Sequence, residues 1–205
     1  MSTRSHTFGR ATALLVVAAA ATGCTATSST SSAEPPDTSI ALSSPPPSTP
    51  ASRAAPDYRR LLIQPGDINI GTDTFATRSS TTNPGGSEGV SALFVNEHDT
   101  RAVGDIILIL PDSAAATTTL NTTVSSLGTI VTGGRPQPSP VGTGGTVVSG
   151  TSPDGSKAVT VLLFTEDRAV VRLEFGSAPG DPMPPQVVTD VGKQQEIAVR
   201  TGLPG

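Results

Sequence analysis

Hydrophobic positions divide the 205-residue chain into three stretches. Eleven consecutive residues, Ala11 to Ala21, are apolar or small and follow a start carrying Arg4, His6 and Arg10. Residues 25–55 then contain almost no large apolar side chain. From Pro56 onward apolar residues recur with the periods of folded elements. Asp57 is placed to cap a short helix carrying Tyr58, Leu61 and Leu62, which Gln64-Pro65-Gly66-Asp67 stops. Strand patterns cover Thr72 to Arg78, Val90 to Asn96 and Gly104 to Leu110, with the turn-forming stretch Thr81 to Gly86 between the first two. After Asp105, the run Ile106 to Leu110 is apolar on both faces and predicts a central strand.

The period then changes. Asp112 predicts the cap of a helix reaching about Leu127, with Ala116, Leu120, Val124 and Leu127 on one face and Gly128 as the left-handed residue that ends it. A Gly- and Pro-rich passage, Gly133 to Gly145, leads to Thr146-Val147-Val148. Ser152-Pro153-Asp154-Gly155 has the chemistry of a tight turn, and Glu166-Asp167 separates two strands. The first of these, Ala158 to Phe164, has little polar interruption and predicts an interior position. In the second, Val171, Leu173 and Phe175 alternate with Val170, Arg172 and Glu174, and Arg172 and Glu174 are expected to pair in water. Pro184-Pro185 starts a last helix that Gly202 and Pro204 end. Its predicted apolar stripe is Val187, Val188, Val191 and Ala198, with Lys193, Glu196 and Arg200 outward. The pattern predicts one α+β domain: a mostly antiparallel sheet of about five to six strands with two main helices packed on it.

Composition changes the picture at the N-terminal end. The apolar run is about half of the ~20 residues a membrane-spanning helix needs, so it serves export rather than a stable span. Ala21-Thr22-Gly23-Cys24 follows it and holds the chain's one cysteine. The segment resembles the bacterial lipobox, with Ala21 where Leu is usual. That resemblance implies cleavage between Gly23 and Cys24 and lipidation of the Cys24 sulfur, with palmitate among the attached chains. The alternative is an ordinary secreted protein, cut at an Ala-x-Ala-like site with Cys24 lost or left as a free thiol. The expected organisation is therefore residues 1–23 as signal peptide, 24–55 as lipidated cysteine and disordered Ser/Thr/Pro tether, and 56–205 as the globular domain. A flexible coil of 31 residues reaches on the order of 30 Å, and Ser28 to Ser32 also resemble an O-glycosylated stalk.

Charge narrows the partners. All 17 acidic residues lie after Cys24 with 11 of the 13 Lys and Arg, so the mature chain carries a net charge of −6. A nucleic-acid partner, which needs a basic face, is not expected. The expected partners are the membrane, through Cys24, and a protein or small hydrophobic ligand of the cell envelope.

Three groups of residues suggest chemistry. Gly85-Gly86-Ser87-Glu88-Gly89 matches G-x-S-x-G, and His98 is the only histidine after Cys24. The elbow needs a strand before it and a helix after it, whereas here a loop precedes a strand, so an exposed turn is the expected reading. Glu97-His98-Asp99 offers metal-ligating atoms, yet neighbours on an extended segment point alternately and no second histidine completes a zinc set. Gly142-Thr143-Gly144-Gly145 has the glycines of a phosphate loop, but Val147 stands where the third glycine belongs and no Lys-Ser/Thr follows. No catalytic residue, metal or cofactor is expected.

The lipobox, the tether and the domain pattern together resemble cell-envelope lipoproteins of mycobacteria and related actinobacteria. Val141 to Thr146, the Ser152 to Gly155 hairpin and Val191-Gly192-Lys193-Gln194-Gln195 resemble members of unknown biochemical role, and the order of elements is similar to LpqN-type lipoproteins. More loosely, it is similar to extracellular sensor domains of mycobacterial Ser/Thr kinases. The resemblance implies a place at the outer face of the cytoplasmic membrane. Three function classes follow: a non-catalytic domain that binds a partner or ligand; a carrier of lipid or hydrophobic ligand, with a chamber lined by Phe75, Phe94, Leu163 or Phe175; and a serine hydrolase using Ser87 and His98.

Overall fold

A computed structural model describes residues 56–204. The expected signal peptide, Gly23, Cys24 and the expected tether lie outside the described residues. The domain is α+β. One antiparallel sheet has the order β1-β2-β3-β7-β6-β5-β4, from strands Phe75–Thr82, Gly89–Asn96, Ala102–Ile109, Gln137–Pro138, Thr143–Thr151, Ala158–Glu166 and Ala169–Ser177 numbered along the chain. Helix α1 spans Ser113–Ser126 and α2 spans Pro185–Gly202. The seven strands exceed the expected five to six because β4 is two residues long, too short to leave a hydrophobic period.

The sheet carries different cover on its two faces. Helix α2 and the segment Tyr58–Ile63, which we call the strap, cover one face and bury Phe94, Ile107, Leu162, Phe164, Leu173 and Phe175. Helix α1 covers part of the other, where Leu120 and Leu127 pack with Val159, Val161 and Leu163. Strand β6 lies between the two helices, so both of its faces are apolar and eight of its nine residues are buried. Strand β7 alternates as expected, and Arg172 Nη2 meets Glu174 Oε2 at 3.2 Å on its half-exposed face.

Several expectations need correction. Strand β3 is covered on one side only: Val103, Asp105, Ile107 and Ile109 are buried while Ile106 and Leu108 are half-buried, because α1 does not reach that far. Strand β1 runs on past Arg78 through Ser79-Ser80 and into Thr81-Thr82, the start of the expected loop. As an edge strand exposed from its second residue it needs no apolar alternation. Asp112 does cap α1, its carboxylate accepting from Ala115 N at 2.8 Å. The helix end differs: it tightens into a 3-10 turn over Leu127–Thr129, and Gly128 is not left-handed. On α2 the buried residue of the last turns is Val199 rather than Ala198, and Glu196 is half-buried rather than outward.

Candidate functional site

The strap begins with a 3-10 turn, Tyr58–Leu61, capped by Asp57, whose carboxylate accepts from Arg59 N at 3.0 Å. This turn brings Tyr58 across to the β1–β2 connection, where its hydroxyl donates to Glu88. Asn83 is left-handed, and a second tight turn covers Pro84–Gly86. Gly89 then starts β2 so close to β3 that a Cβ there would lie 2.0 Å from the Ile107 carbonyl oxygen. Only glycine fits, and the close approach sets Glu88 at the rim.

Between the strap and this turn lies an open cleft of about 550 Å³, lined in part by Asp57, Tyr58, Arg59, Asn83, Gly86 and Glu88. Its groups are two carboxylates, a guanidinium, a carboxamide and a phenol. Burial, then the hydrogen bond and charge of Glu88, raise the Tyr58 phenol above its usual ionisation, while Arg168 pulls the other way. The phenol therefore stays protonated and keeps donating. Such an arrangement suits recognition of a polar ligand by hydrogen bonds.

The residues singled out by pattern do not converge. Ser87 is exposed just before β2, and His98 is exposed just after it, with its Nδ1 3.5 Å from Glu97 Oε1. The eight residues of β2 separate them, which at about 3.4 Å per residue is roughly 27 Å. They cannot exchange a proton directly. Asp99 pairs with Arg78, and no group of three or more His, Cys, Asp or Glu able to hold a metal occurs among the described residues. The glycine loop is a packing device. A Cβ on Gly142 would meet the Phe164 ring at 2.4 Å, and the Gly142 N–H donates to Glu196 Oε2 at 3.1 Å, so a carboxylate already occupies it. Phe94 and Phe175 are packed into the core under α2 and the strap, Phe75 belongs to the same core at the sheet edge, and Leu163 lies on the opposite face under α1. The four line no common chamber.

Two polar residues carry more structural consequence than pattern reading shows. Gln195 on α2 is fully buried and holds the strap, donating to Leu61 O at 2.7 Å and accepting from Ile63 N at 3.1 Å. Asp105 on β3 is fully buried with neither carboxyl oxygen hydrogen-bonded. The polar positions at 105 and 195 stand inside otherwise apolar faces, which is the signal that marks them.

The fold is thus an antiparallel sheet clasped on one face by a C-terminal helix and an N-terminal strap. No protein-family model matches the chain, and no curated protein does. Among solved structures it is similar to the extracellular domain of PknH from Mycobacterium tuberculosis, with a TM-score of 0.50 and 10% identity over 67% of this chain and 92% of that one. At that identity the likeness is one of fold. It agrees with the looser resemblance drawn from element order, to mycobacterial kinase extracellular domains. No helix among the described residues is long and apolar enough to cross a membrane.

Proposed function

We propose that the chain is an exported, LpqN-like lipoprotein of an actinobacterial cell envelope, whose domain binds a partner protein or small ligand without transforming it. In this reading the first 23 residues direct export, acylated Cys24 holds the protein at the outer face of the cytoplasmic membrane, and residues up to 55 form the stem. The observation that carries it is the fold, shared with an extracellular domain. The lone cysteine behind a short apolar run supports the anchor, and the polar cleft beside Tyr58 is where we place the ligand. The separation of Ser87 from His98 supports binding without catalysis.

Two measurements test it. Intact-mass analysis of the mature protein from its native envelope is expected to show an acylated Cys24 as first residue, and Cys24→Ser is expected to leave the detergent phase. Unacylated mature protein in the medium overturns the anchor. Molecules co-purifying with wild type are expected to be lost on Arg59→Ala plus Asn83→Ala, a pair exposed on the cleft. Retention of them, or turnover of a ligand that His98→Ala abolishes, overturns the binding role.

A further inference from the structure

Asp105 sits near the middle of β3, 0% exposed, and is the one ionisable aspartate, glutamate, lysine or arginine among the buried residues described. Its partners across the sheet are Ala92 on β2 and Leu173 on β7. Side-chain alternation places all three on the face covered by α2 and the strap. Leu61 and Ile63 of the strap are 0% and 2% exposed on that same face. The Ile63 N–H is the one group that favours a charged Asp105, although it makes no hydrogen bond of good geometry to either carboxyl oxygen. That N–H already donates to Gln195 Oε1 at 3.1 Å. An isolated carboxylate is costly in such a place, and the group sheds its charge instead. Burial pushes Asp105 up to about 8, with Ile63 N–H opposing the shift.

Part of the cover over Asp105 is the strap, which is held by few hydrogen bonds. The strap has no strand ladder. Apart from bonds to its chain neighbours Asp57 and Gln64, the hydrogen bonds that hold it are those of Gln195, one from Arg60 Nε to Gly202 O at 2.7 Å, and that of Tyr58 to Glu88. We propose that Asp105 is a proton-operated release for the strap: protonated, it lies neutral beneath Leu61 and Ile63, and loss of its proton to solvent drives the strap to lift so that the carboxylate is hydrated.

Beside Asp105 the surrounding elements present no second ionisable side chain; the nearest charge acting on the strap is Arg168, which bonds Leu110 O and Pro204 O and acts on Tyr58 at the strap's start. Strand β2 presents Ala92, β7 presents Leu173, α2 presents Gln195, and the strap presents Leu61 and Ile63. Tyr58 and Glu88 pair with each other at the strap's beginning, Arg59 and Arg60 are exposed, and Arg172 and Glu174 occupy the opposite face of β7. The release reaches the candidate site, because Asp57, Tyr58 and Arg59 form one wall of the cleft. Below the transition the cleft is assembled; above it that wall is free. The proposal concerns the domain alone and stands whether or not the cleft binds a ligand.

The test is amide exchange of Leu61, Leu62 and Ile63 in the full-length protein between pH 5 and 8, divided by the intrinsic rate at each pH. One proton released on opening makes the opened fraction rise about tenfold per pH unit. Asp105→Asn is expected to flatten this slope. Should that variant fold poorly, Asp105→Val provides a neutral side chain of similar size without a polar group and is expected to be equally flat. Gln195→Leu raises opening at every pH and keeps the slope. The emission of Tyr58, the only tyrosine in a chain without tryptophan, follows the same change directly. A flat wild type, an unchanged slope in the neutral variants, or exchange of Ile63 in step with Val161 and Leu173 at every pH overturns the proposal, the last because it assigns the proton to global unfolding.

Discussion

Gln195 donates its side-chain amide to the carbonyl of Leu61 at 2.7 Å, across 134 positions of sequence. The same side chain accepts from Ile63 N, so one residue of the last helix supplies both hydrogen bonds that a neighbouring strand would have given the strap. Backbone groups buried this deeply need partners, and here a single glutamine provides them.

Gln195→Ala is accordingly expected to destabilise the domain by about 2–4 kcal/mol, since it leaves Leu61 O and Ile63 N–H buried without partners and opens a small cavity. Urea denaturation measures this. A loss under 0.5 kcal/mol would mean that water or a shifted strap replaces the amide.

Tyr58 supplies a second prediction. Its ionisation, followed by ultraviolet absorbance, is expected above the usual phenol range because burial and Glu88 both oppose the charge. Glu88→Gln lowers the midpoint without returning it to the ordinary value, because burial, the larger cause, persists. A midpoint unchanged in Glu88→Gln shows that the two side chains do not interact in solution.

Close packing at Gly192 gives a third. A Cβ there would meet Leu162 Cδ2 at 2.4 Å and both methyls of Val141 at 3.2 Å. Gly192→Val is expected to cost about 1–3 kcal/mol by overpacking, read as a fall in thermal midpoint, while Lys193→Val on the exposed neighbour leaves the midpoint within about a degree or two. Equal effects would show that α2 does not seat on β6 at this point.

The turn between β5 and β6 responds to acid in the opposite sense to Asp105. Hydrogen bonds from the Ser152 hydroxyl and from Ser156 pull the Asp154 carboxyl down to about 2. A depressed carboxyl adds stability above its ordinary value and loses it as pH falls through about 2. Asp105, raised to about 8, does the reverse: the stability tied to its proton is full below the ordinary carboxyl value and is lost as pH rises toward 8. Asp154→Ala is expected to weaken amide protection in the hairpin near neutral pH and to match wild type below pH 2. A difference that persists in strong acid assigns the effect to packing.

Much of this fold is legible in the chain. The strands β6 and β7, the turn at Ser152 to Gly155 and the cap at Asp112 follow from local chemistry, and each is where its residues place it. The misplacements share a cause. Thr81 and Thr82 look like loop because an edge strand needs no buried face, and Ile106 and Leu108 look interior although no helix lies over them. The candidate site was less visible still. Ser87 and His98 are close in sequence yet stand at opposite ends of a strand, while Tyr58 and Glu88, thirty positions apart, touch.

Sequence alone determined where most strands and both helices form, β4 and the end of β1 excepted, since period, caps and turn residues act over a few positions and are paid for locally. It also set the composition from which the export and anchoring readings come. Tertiary structure decided which faces are covered, that the strap closes over Asp105, and that Gln195 and Glu196 turn inward to backbone amides. The reason is that burial belongs to a neighbourhood rather than to a residue: a carboxyl or an amide finds itself in water or in a core according to what a distant segment lays on top of it.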